Sequence, residues 1–219
     1  MIRYETARGI ASRNRNAKVQ KNIVTTHFLY KKIIAVLRTD NMHQALTIKE
    51  GARRYDCDTF KHRHMKRILF VCHGNICRSV TAEFVFRRMA EEAGVGHLFE
   101  VDSAATSREE IGNPIYPMAL RTLEAHGIHG ARHAARQVTR QDYDHYDHLV
   151  LMDSENLYGI RRIIPDDPEG KISLLLDHTP ASAKAHHNRD VADPWYTRNF
   201  DAAWEDITLG CQALLQKLC

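Results

Sequence analysis

Apolar residues follow two spacings that alternate along the chain from about residue 66 onward. Short apolar-rich runs are typical of buried parallel strands, and the sequence predicts four: Ile68–Val71, Leu98–Ser103, Asp147–Met152 and Lys171–Leu176. Segments with a helical apolar period predict helices at Val80–Ala93, Met118–His126, Ser154–Arg162 and Phe200–Leu218. Strands alternating with helices predict an α/β fold, with a four-stranded parallel sheet covered by helices on both faces.

The loop between the first predicted strand and the first predicted helix has the residues of an anion site. Its sequence is Cys72-His73-Gly74-Asn75-Ile76-Cys77-Arg78-Ser79. Backbone N–H groups at a helix N-terminus point inward together and, with the helix dipole, attract an anion. Gly74 and Asn75 tolerate the left-handed backbone that such a loop needs, and Arg78 can hold two phosphate oxygens with its planar fork. The sequence therefore predicts a phosphate-binding loop at the carboxyl end of the first strand, where parallel sheets bind ligands.

Cys72 stands at the base of this loop. The positive field there favours the thiolate, which is the nucleophilic form of cysteine, and Ser79 can donate a hydrogen bond to the sulfur. The alternative is a buried structural cysteine beside a surface arginine, because cysteine is often buried and Cys-x5-Arg often arises by chance. The strand before the loop, the helix after it and the resemblance described below favour the functional interpretation.

A second candidate group lies late in the chain, in Ala192-Asp193-Pro194-Trp195-Tyr196. Hydrolysis of a phosphate ester through cysteine needs a proton for the leaving alkoxide and then a base for the attacking water. One carboxyl group can serve as both. Pro194 restricts the residue before it, so Asp193 is predicted to lie on a stiff loop. The alternative is an ordinary turn, in which Asp-Pro is common.

Composition limits the class of protein. Apolar residues make up 43% of the chain, enough for a core, and no apolar run approaches the ~18 residues that a membrane span needs. No signal-peptide pattern follows Met1. The five cysteines are odd in number and lack the spacing of a disulfide framework, which predicts a reducing, cytoplasmic location.

The charge is unevenly distributed along the chain. Residues 1–65 contain 14 Lys and Arg against 5 Asp and Glu, a net charge of +9, whereas residues 66–219 contain 17 against 22, a net charge of −5. Residues 1–26 are polar and basic without a period and are predicted to be disordered, and weak helical patterns follow at residues 27–38 and 41–54. The chain is therefore divided into a basic N-terminal extension, residues 1–65, and a regularly patterned domain, residues 66–219.

The segment from Val71 to Ser79 resembles the signature of the low-molecular-weight protein tyrosine phosphatases, which reads Val-Cys-x-Gly-Asn-Ile-Cys-Arg-Ser. The segment at Asp193 resembles that family's Asp-Pro-aromatic-aromatic loop, and the resemblance covers Met65 to about Leu218. It implies hydrolysis of phosphotyrosine in proteins through a phosphocysteine intermediate, without a metal or organic cofactor. Cys72 would be the nucleophile, Arg78 would bind the phosphate, and Asp193 would be the general acid and then the base. Implied partners are phosphotyrosine-containing proteins and a cognate tyrosine kinase.

The resemblance implies roles for further residues. Those that would contact the substrate are His73, Gly74, Asn75, Ile76, Cys77, Ser79, Glu109 and Trp195. Ser103 would help to hold the loop, and Asp153 would contact the loop region. His133 would brace Asn75, or it is an exposed histidine on a turn.

Two positions depart from the family pattern. Val80 stands where the family usually has proline in the first helical turn, which predicts a small loss of stability and retained chemistry. Glu109 stands where the family usually has an aromatic residue on the wall of the substrate cleft, so substrate preference is left open. Tyr116 and Trp195 are candidates for the missing aromatic face.

Three alternative functions share parts of this pattern. Arsenate reductases need resolving cysteines after the third strand, and this function is disfavoured because no cysteine lies between Cys77 and Cys211. Arginine phosphatases have threonine at the position of Ile76, where isoleucine instead offers an apolar wall suited to an aromatic ring. A non-catalytic phosphate-binding regulator is expected to have lost one of the three catalytic candidates, and all three are present.

Residues 1–65 allow three interpretations. Family members commonly begin as Met65-Lys66-Arg67 does, just before the first strand, so the upstream residues can be a start-site artefact. They can instead be a basic segment that contacts nucleic acid, anionic lipid or a partner, or an organelle transit peptide, although serine is scarce. Nucleic-acid binding is not expected outside this segment. Cys57, His62 and His64 are three potential ligands in a charged linker, for which solvated surface is the more common role, and no metal site is predicted.

Overall fold

The computed structural model of the chain describes residues 65–183 and 186–219. The predictions made for residues 1–64, including disorder, two weak helices and the absence of a metal site, lie outside these residues. Within the described residues, no helix combines the length and apolar character that crossing a bilayer requires.

Strands and helices alternate along the described chain as predicted. The strands are β1 (Lys66–Cys72), β2 (Phe99–Ala105), β3 (His148–Leu151) and β4 (Ile172–Leu174). The α-helices are α1 (Arg78–Glu92), α2 (Pro117–Ala125), α3 (Arg140–His145), α4 (Ser154–Ile160), α5 (Pro194–Thr197) and α6 (Phe200–Leu218). Short 3-10 helices occupy Gly96–Leu98 and Leu175–His178.

The four strands form one parallel sheet in the order β2-β1-β3-β4. β1 is central and pairs with β2 over its whole length, with Cys72 opposite Ala105 at the end. Because the strands are parallel, their carboxyl ends meet at one edge of the sheet. Cys72 therefore lies beside Ala105, and Met152 follows β3 at the same edge.

The side chains of β1 alternate between two apolar cores, as expected for a strand buried on both faces. Ile68 and Phe70 pack with apolar residues of α1 and α6. Leu69 and Val71 pack on the other face with residues of α3 and α4. Helices thus cover both faces of the sheet, and the predicted α/β architecture is confirmed.

Helix α6 packs very closely against the chain that follows β4. At Gly210, a Cβ atom would lie 2.5 Å from Cγ of Leu175, which is a severe overlap. Leu175 is fully buried in the same apolar cluster as Ile207 and Leu214 of α6. Glycine is therefore needed at this helical position for α6 to reach its place beside the sheet.

The prediction was incomplete at three places. Helix α3 is only six residues long, too short for an apolar period, although Thr139 and Asp142 form a capping box that marks its start. Asp193 lies in extended backbone as the N-cap of helix α5, a short helix directly after it that was not predicted. The fourth strand was predicted to reach Leu176, but it ends at Leu174, because the next two leucines turn into the core packed against α6. Other boundaries shift by one or two residues.

Candidate active site

Residues 72–79 form a tight loop between β1 and α1, with Cys72 at its base and 3% exposed. The sulfur of Cys72 accepts a hydrogen bond from the backbone N–H of Asn75 at 3.3 Å. Ser79 Oγ lies 3.0 Å from the same sulfur. Hydrogen-bond donors aimed at a sulfur stabilise its anionic form. The loop therefore places a backbone N–H and a hydroxyl group on the sulfur of Cys72.

Asn75 fixes the shape of this loop. It is fully buried and has φ of +59°, in the left-handed region. Its Nδ2 donates to Ser79 Oγ at 3.0 Å and to Ser103 Oγ at 2.8 Å, and its Oδ1 accepts from the backbone N–H of Arg136 at 3.1 Å. His133 Nε2 lies 2.8 Å from the carbonyl oxygen of Asn75. Ser103 and His133 thus both reach the loop through this one asparagine.

Two residues behind the loop were missed by the sequence analysis. Glu83, on α1 and 4% exposed, accepts a hydrogen bond from Ser103 Oγ at 2.6 Å. Burial raises the pKa of the Glu83 carboxyl. The Arg136 guanidinium donates to Asp102 at 2.8 Å and to Asp142 at 3.1 Å. The contacts that place these residues behind the loop, from Ser103 to Glu83 and from Arg136 to Asp102, join positions that are 20 and 34 residues apart and have no local signal.

Arg78 begins α1 and is 4% exposed. Its guanidinium forms ion pairs with Asp153 and Asp193, and Nη1 donates to the carbonyl oxygen of Val191 at 3.4 Å. Burial lowers the pKa of Arg78, but the neighbouring Cys72, Asp153 and Asp193 outweigh it and the net direction is upward. Arg78 is therefore a permanent cation beside the sulfur.

Asp193 is the N-cap of α5. Its Oδ1 accepts the backbone N–H of Trp195 at 2.9 Å, Pro194 occupies the first helical position, and its other oxygen accepts from Arg78. About a quarter of its side chain, 24%, is exposed, so water and substrate can reach it. The structure thus brings Asp193 to Arg78, and Arg78 in turn lies within electrostatic range of Cys72.

Aromatic and charged side chains surround this site. Trp195 is 42% exposed, and its ring lies 5.3 Å from that of Tyr116 at 67°. Tyr116 stacks on Phe200, with centroids 6.0 Å apart. Glu109, in place of the family's aromatic residue, lies 3.1 Å from His73 Nε2, and both side chains are exposed. The aromatic surface is therefore supplied by Tyr116 and Trp195.

Ile76 and Cys77 face mostly away from solvent. They are 8% and 7% exposed and pack in one apolar cluster with Val80 and Leu123. Burial, followed by the proximity of Cys72, raises the pKa of Cys77 to about 12. Val80 is fully buried in this cluster, so its side chain adds packing where proline is usual.

A protein-family model described as low molecular weight phosphotyrosine protein phosphatase matches residues 67–219. The low molecular weight protein-tyrosine-phosphatase YfkJ of Bacillus subtilis (strain 168) is 38% identical over 154 residues, which are 70% of this chain and 96% of YfkJ. The chain belongs to the low-molecular-weight phosphotyrosine protein phosphatase family.

Other members of the family match over the same share of the chain. The low molecular weight phosphotyrosine protein phosphatase of Rattus norvegicus is 36% identical over 156 residues, 69% of this chain and 95% of the rat protein. The crystal structure of YfkJ matches with a TM-score of 0.64 over 70% of this chain and 94% of that chain, at 37% identity. The structure of DARP, a drosophila arginine phosphatase, matches with a TM-score of 0.59 at 26% identity, over 69% of this chain and 96% of that one.

Proposed function

We propose that the protein hydrolyses phosphotyrosine in proteins and that Cys72 carries the phosphoryl group between the two steps. The observation that carries the proposal is the sulfur of Cys72 at the base of a loop of converging donors, with Arg78 within electrostatic range of it and Asp193 paired with Arg78. Membership of the phosphotyrosine phosphatase family supports the same assignment.

The first step transfers the phosphoryl group to sulfur. The phosphate dianion binds Arg78 and the loop N–H groups, and the Cys72 thiolate attacks phosphorus in line with the phenolic oxygen. The bond from phosphorus to that oxygen breaks, and Asp193 gives its proton to the leaving phenolate. Arg78 and the backbone amides stabilise charge on the equatorial oxygens, as is general for phosphoryl transfer.

The second step releases phosphate. Water attacks phosphorus, Asp193 accepts the proton of the water, and the bond between phosphorus and sulfur breaks. The hydrogen bonds from Ser79 and from the Asn75 N–H stabilise the departing thiolate. Both steps are written with side chains and backbone groups of this chain, the substrate and one water molecule.

The two carboxylates on Arg78 have different parts in this scheme. Asp153 caps α4 through its Oδ1, which accepts the N–H of Asn156 at 2.6 Å, and is 8% exposed. It therefore holds the guanidinium from inside the protein. Of the two carboxylates, Asp193 is the more exposed to solvent. A substrate phosphate that enters from solvent would therefore compete with Asp193 for Arg78 and leave Asp153 in place. Binding of the substrate would thereby free the carboxyl that must transfer the proton.

Phosphotyrosine is the substrate that suits the surface around the loop. Tyr116 and Trp195 present aromatic faces against which a phenyl ring can pack. The arginine-phosphatase alternative finds support in the likeness to DARP. It is disfavoured because arginine phosphatases have threonine at the position of Ile76, and isoleucine offers no hydroxyl group to position the attacking water.

The remaining assignments are proposals of the same kind. Phosphotyrosine proteins made by a cognate tyrosine kinase would supply the substrate, and the free thiols of Cys72, Cys77 and Cys211 favour the cytoplasm. Residues 66–219 are proposed as the phosphatase domain and residues 1–65 as a separate basic extension. A chain beginning at Met65 is then expected to keep its kcat/KM, and loss of retention on heparin in that chain would assign nucleic-acid binding to the extension.

The experiment that tests the function compares kcat/KM on matched peptides bearing phosphotyrosine, phosphoserine or phosphoarginine. Phosphotyrosine is expected to be hydrolysed fastest. Cys72→Ser should abolish turnover and still bind vanadate, because the phosphate loop is intact. Equal rates on phosphoarginine would overturn the tyrosine assignment, and turnover by Cys72→Ser within about tenfold of the unmodified protein would overturn the mechanism.

A further inference from the structure

Asp206 is a charged residue within α6 that is only 2% exposed. One of its oxygens, Oδ1, accepts a hydrogen bond from Arg189 Nη2 and lies 3.2 Å from His186 Nδ1. Its other oxygen, Oδ2, accepts the backbone N–H of Ala192 at 3.2 Å. All of these partners belong to one segment, residues 186–192, which we call the acid segment because it leads directly to Asp193.

The acid segment is fixed from two sides. The N–H of Ala192 lies in the Val191–Ala192 peptide, so its bond to Asp206 fixes the backbone one residue ahead of Asp193. The N–H of Val191 donates to the carbonyl oxygen of Met152 at 2.8 Å, at the end of β3. The segment is therefore held between the sheet on one side and α6 on the other.

A buried carboxylate is a costly way to hold a segment if stability alone is the result. Such a group loses its hydration, and well-packed apolar residues of similar volume are often equally stabilising or better. The next residue on α6, Ile207, is fully buried in the apolar core, as are Cys211 and Leu214 one and two turns later. A charge at this position is better explained by the segment that it holds than by the packing of α6.

We propose that Asp206 is a positioning residue for proton transfer, which holds Ala192 and Arg189 so that the Asp193 carboxyl stays at the mouth of the phosphate loop. This inference rests on the proposed role of Asp193 as general acid. Among the described residues, the side-chain hydrogen bonds and ion pairs of Asp206 go to the acid segment and not to residues 72–79. Its loss should therefore impair proton transfer and spare phosphate binding.

The test uses Asp206→Asn, which keeps the size of the side chain and removes its charge and one acceptor. The measurement is kcat/KM on phenyl phosphate, whose leaving group needs a proton, and on para-nitrophenyl phosphate, whose leaving group needs it less. Misplacement of a catalytic group by about 1 Å can cost about 10²-fold, so we expect a loss of about 10- to 100-fold on phenyl phosphate and a much smaller one on the nitrophenyl ester. The inhibition constant of vanadate should stay unchanged.

A double variant distinguishes a positioning role of Asp206 from a general loss of rigidity in the protein. In a chain that already carries Asp193→Asn, Asp206→Asn should cause no further loss, because the group that it positions is gone. Losses that multiply, or a weaker inhibition by vanadate, would overturn the inference. If the loss caused by Asp193→Asn does not depend on the leaving group, Asp193 is not the general acid and both proposals fail. If the loss depends on the leaving group for Asp193→Asn but not for Asp206→Asn, only the inference about Asp206 is overturned.

Two further variants control for charge and folding. Glu205→Gln removes a charge from the neighbouring exposed position of α6 and should leave both substrates unaffected. The Arg189 side chain is 39% exposed, so water can solvate it when Asp206 is replaced, and the variant is expected to fold. If thermal denaturation shows otherwise, Arg189→Gln gives the same test from the other partner and should show the same leaving-group dependence in weaker form. Equal loss on both esters there would overturn the inference.

Discussion

The phosphate loop is held by contacts among its own eight residues as well as by bonds from Asn75 to other elements, whereas the acid segment is held in the domain by residues on other elements. Within the loop, Asn75 reaches Cys72 and Ser79 directly. The acid segment is held by the carbonyl of Met152 after β3 and by Asp206 on α6. The nucleophile is thus part of a local motif, while the position of the acid depends on how the whole domain packs.

Because the two regions are held differently, substitutions in them are expected to impair catalysis in different ways. On the proposed mechanism, a change within the phosphate loop should remove the nucleophile, the anion site or both. A change behind the acid segment should leave the anion site intact and move only the proton donor. Arg78 is the exception, because its guanidinium contacts Asp153 on one side and Asp193 on the other.

Asp193→Asn should cause the largest loss of activity among the substitutions that leave the phosphate loop intact. It is expected to lower kcat/KM for phenyl phosphate by about 10²- to 10⁴-fold, the usual contribution of general acid catalysis. The loss should shrink steadily as the leaving group becomes more acidic, because such groups depart without a proton. A series of aryl phosphates measures this slope, and an equal loss for every leaving group would mean that Asp193 has a structural role.

Arg78→Lys should lower the rate for every leaving group alike. An ammonium cannot hold two phosphate oxygens and the Asp153 carboxylate with the planar fork of a guanidinium, and loss of a transition-state donor costs about 10²- to 10³-fold in kcat. The inhibition constant of vanadate should rise as well, in contrast to Asp193→Asn. Unchanged vanadate binding would show that Arg78 does not belong to the anion site.

The same difference explains how much the sequence could predict. The sheet, the phosphate loop and Asp193 were predicted because each has a signal within a few residues: an apolar run, a glycine-containing turn or an Asp-Pro pair. Glu83 and Asp206 were missed because a single acidic residue in an amphipathic helix is typical of solvated surface. Their burial follows from partners that are brought near only by folding, Ser103 for Glu83 and the acid segment for Asp206.

Asn75→Ala should test how far the phosphate loop depends on one side chain. The change leaves the buried partners of Asn75 without hydrogen bonds, and each unsatisfied group costs about 1–3 kcal/mol. Alanine also lacks the polar side chain that helps asparagine adopt a φ of +59°. We expect a loss of about 2–4 kcal/mol in the free energy of unfolding. Asn75→Gly is the matched control, because glycine adopts this backbone freely and should recover about 1 kcal/mol of the loss. Denaturant unfolding measures both, and equal stability of the two variants would show that the backbone conformation costs nothing here.

Cys77 should be the least sensitive position of the phosphate loop, although it lies near the nucleophile. With its pKa raised to about 12 by burial, Cys77 should remain almost entirely a thiol at pH 8, so iodoacetamide should alkylate Cys72 and spare it. Cys77→Ala should change kcat/KM by less than about threefold, because a buried thiol in an apolar cluster serves mainly as a small apolar group. Alkylation mapped by mass spectrometry measures the difference, and added phosphate should protect Cys72 as a control. Labelling of Cys77 at a rate like that of Cys72 would contradict it.

The same raised pKa gives Cys77 a signature in stability. In the unfolded chain a cysteine thiol has its ordinary pKa of 9.0, whereas in the folded protein burial raises the pKa of Cys77 to about 12. The stabilising contribution is therefore fully present below pH 9 and is lost as the pH rises toward 12, at no more than about 1.4 kcal/mol per pH unit. Burial raises the pKa of Cys211 as well, so the unmodified protein alone cannot isolate Cys77. The stability of Cys77→Ala should instead fall less steeply between pH 8 and pH 10 than that of the unmodified protein, and parallel curves would show that the thiol ionises alike in both states.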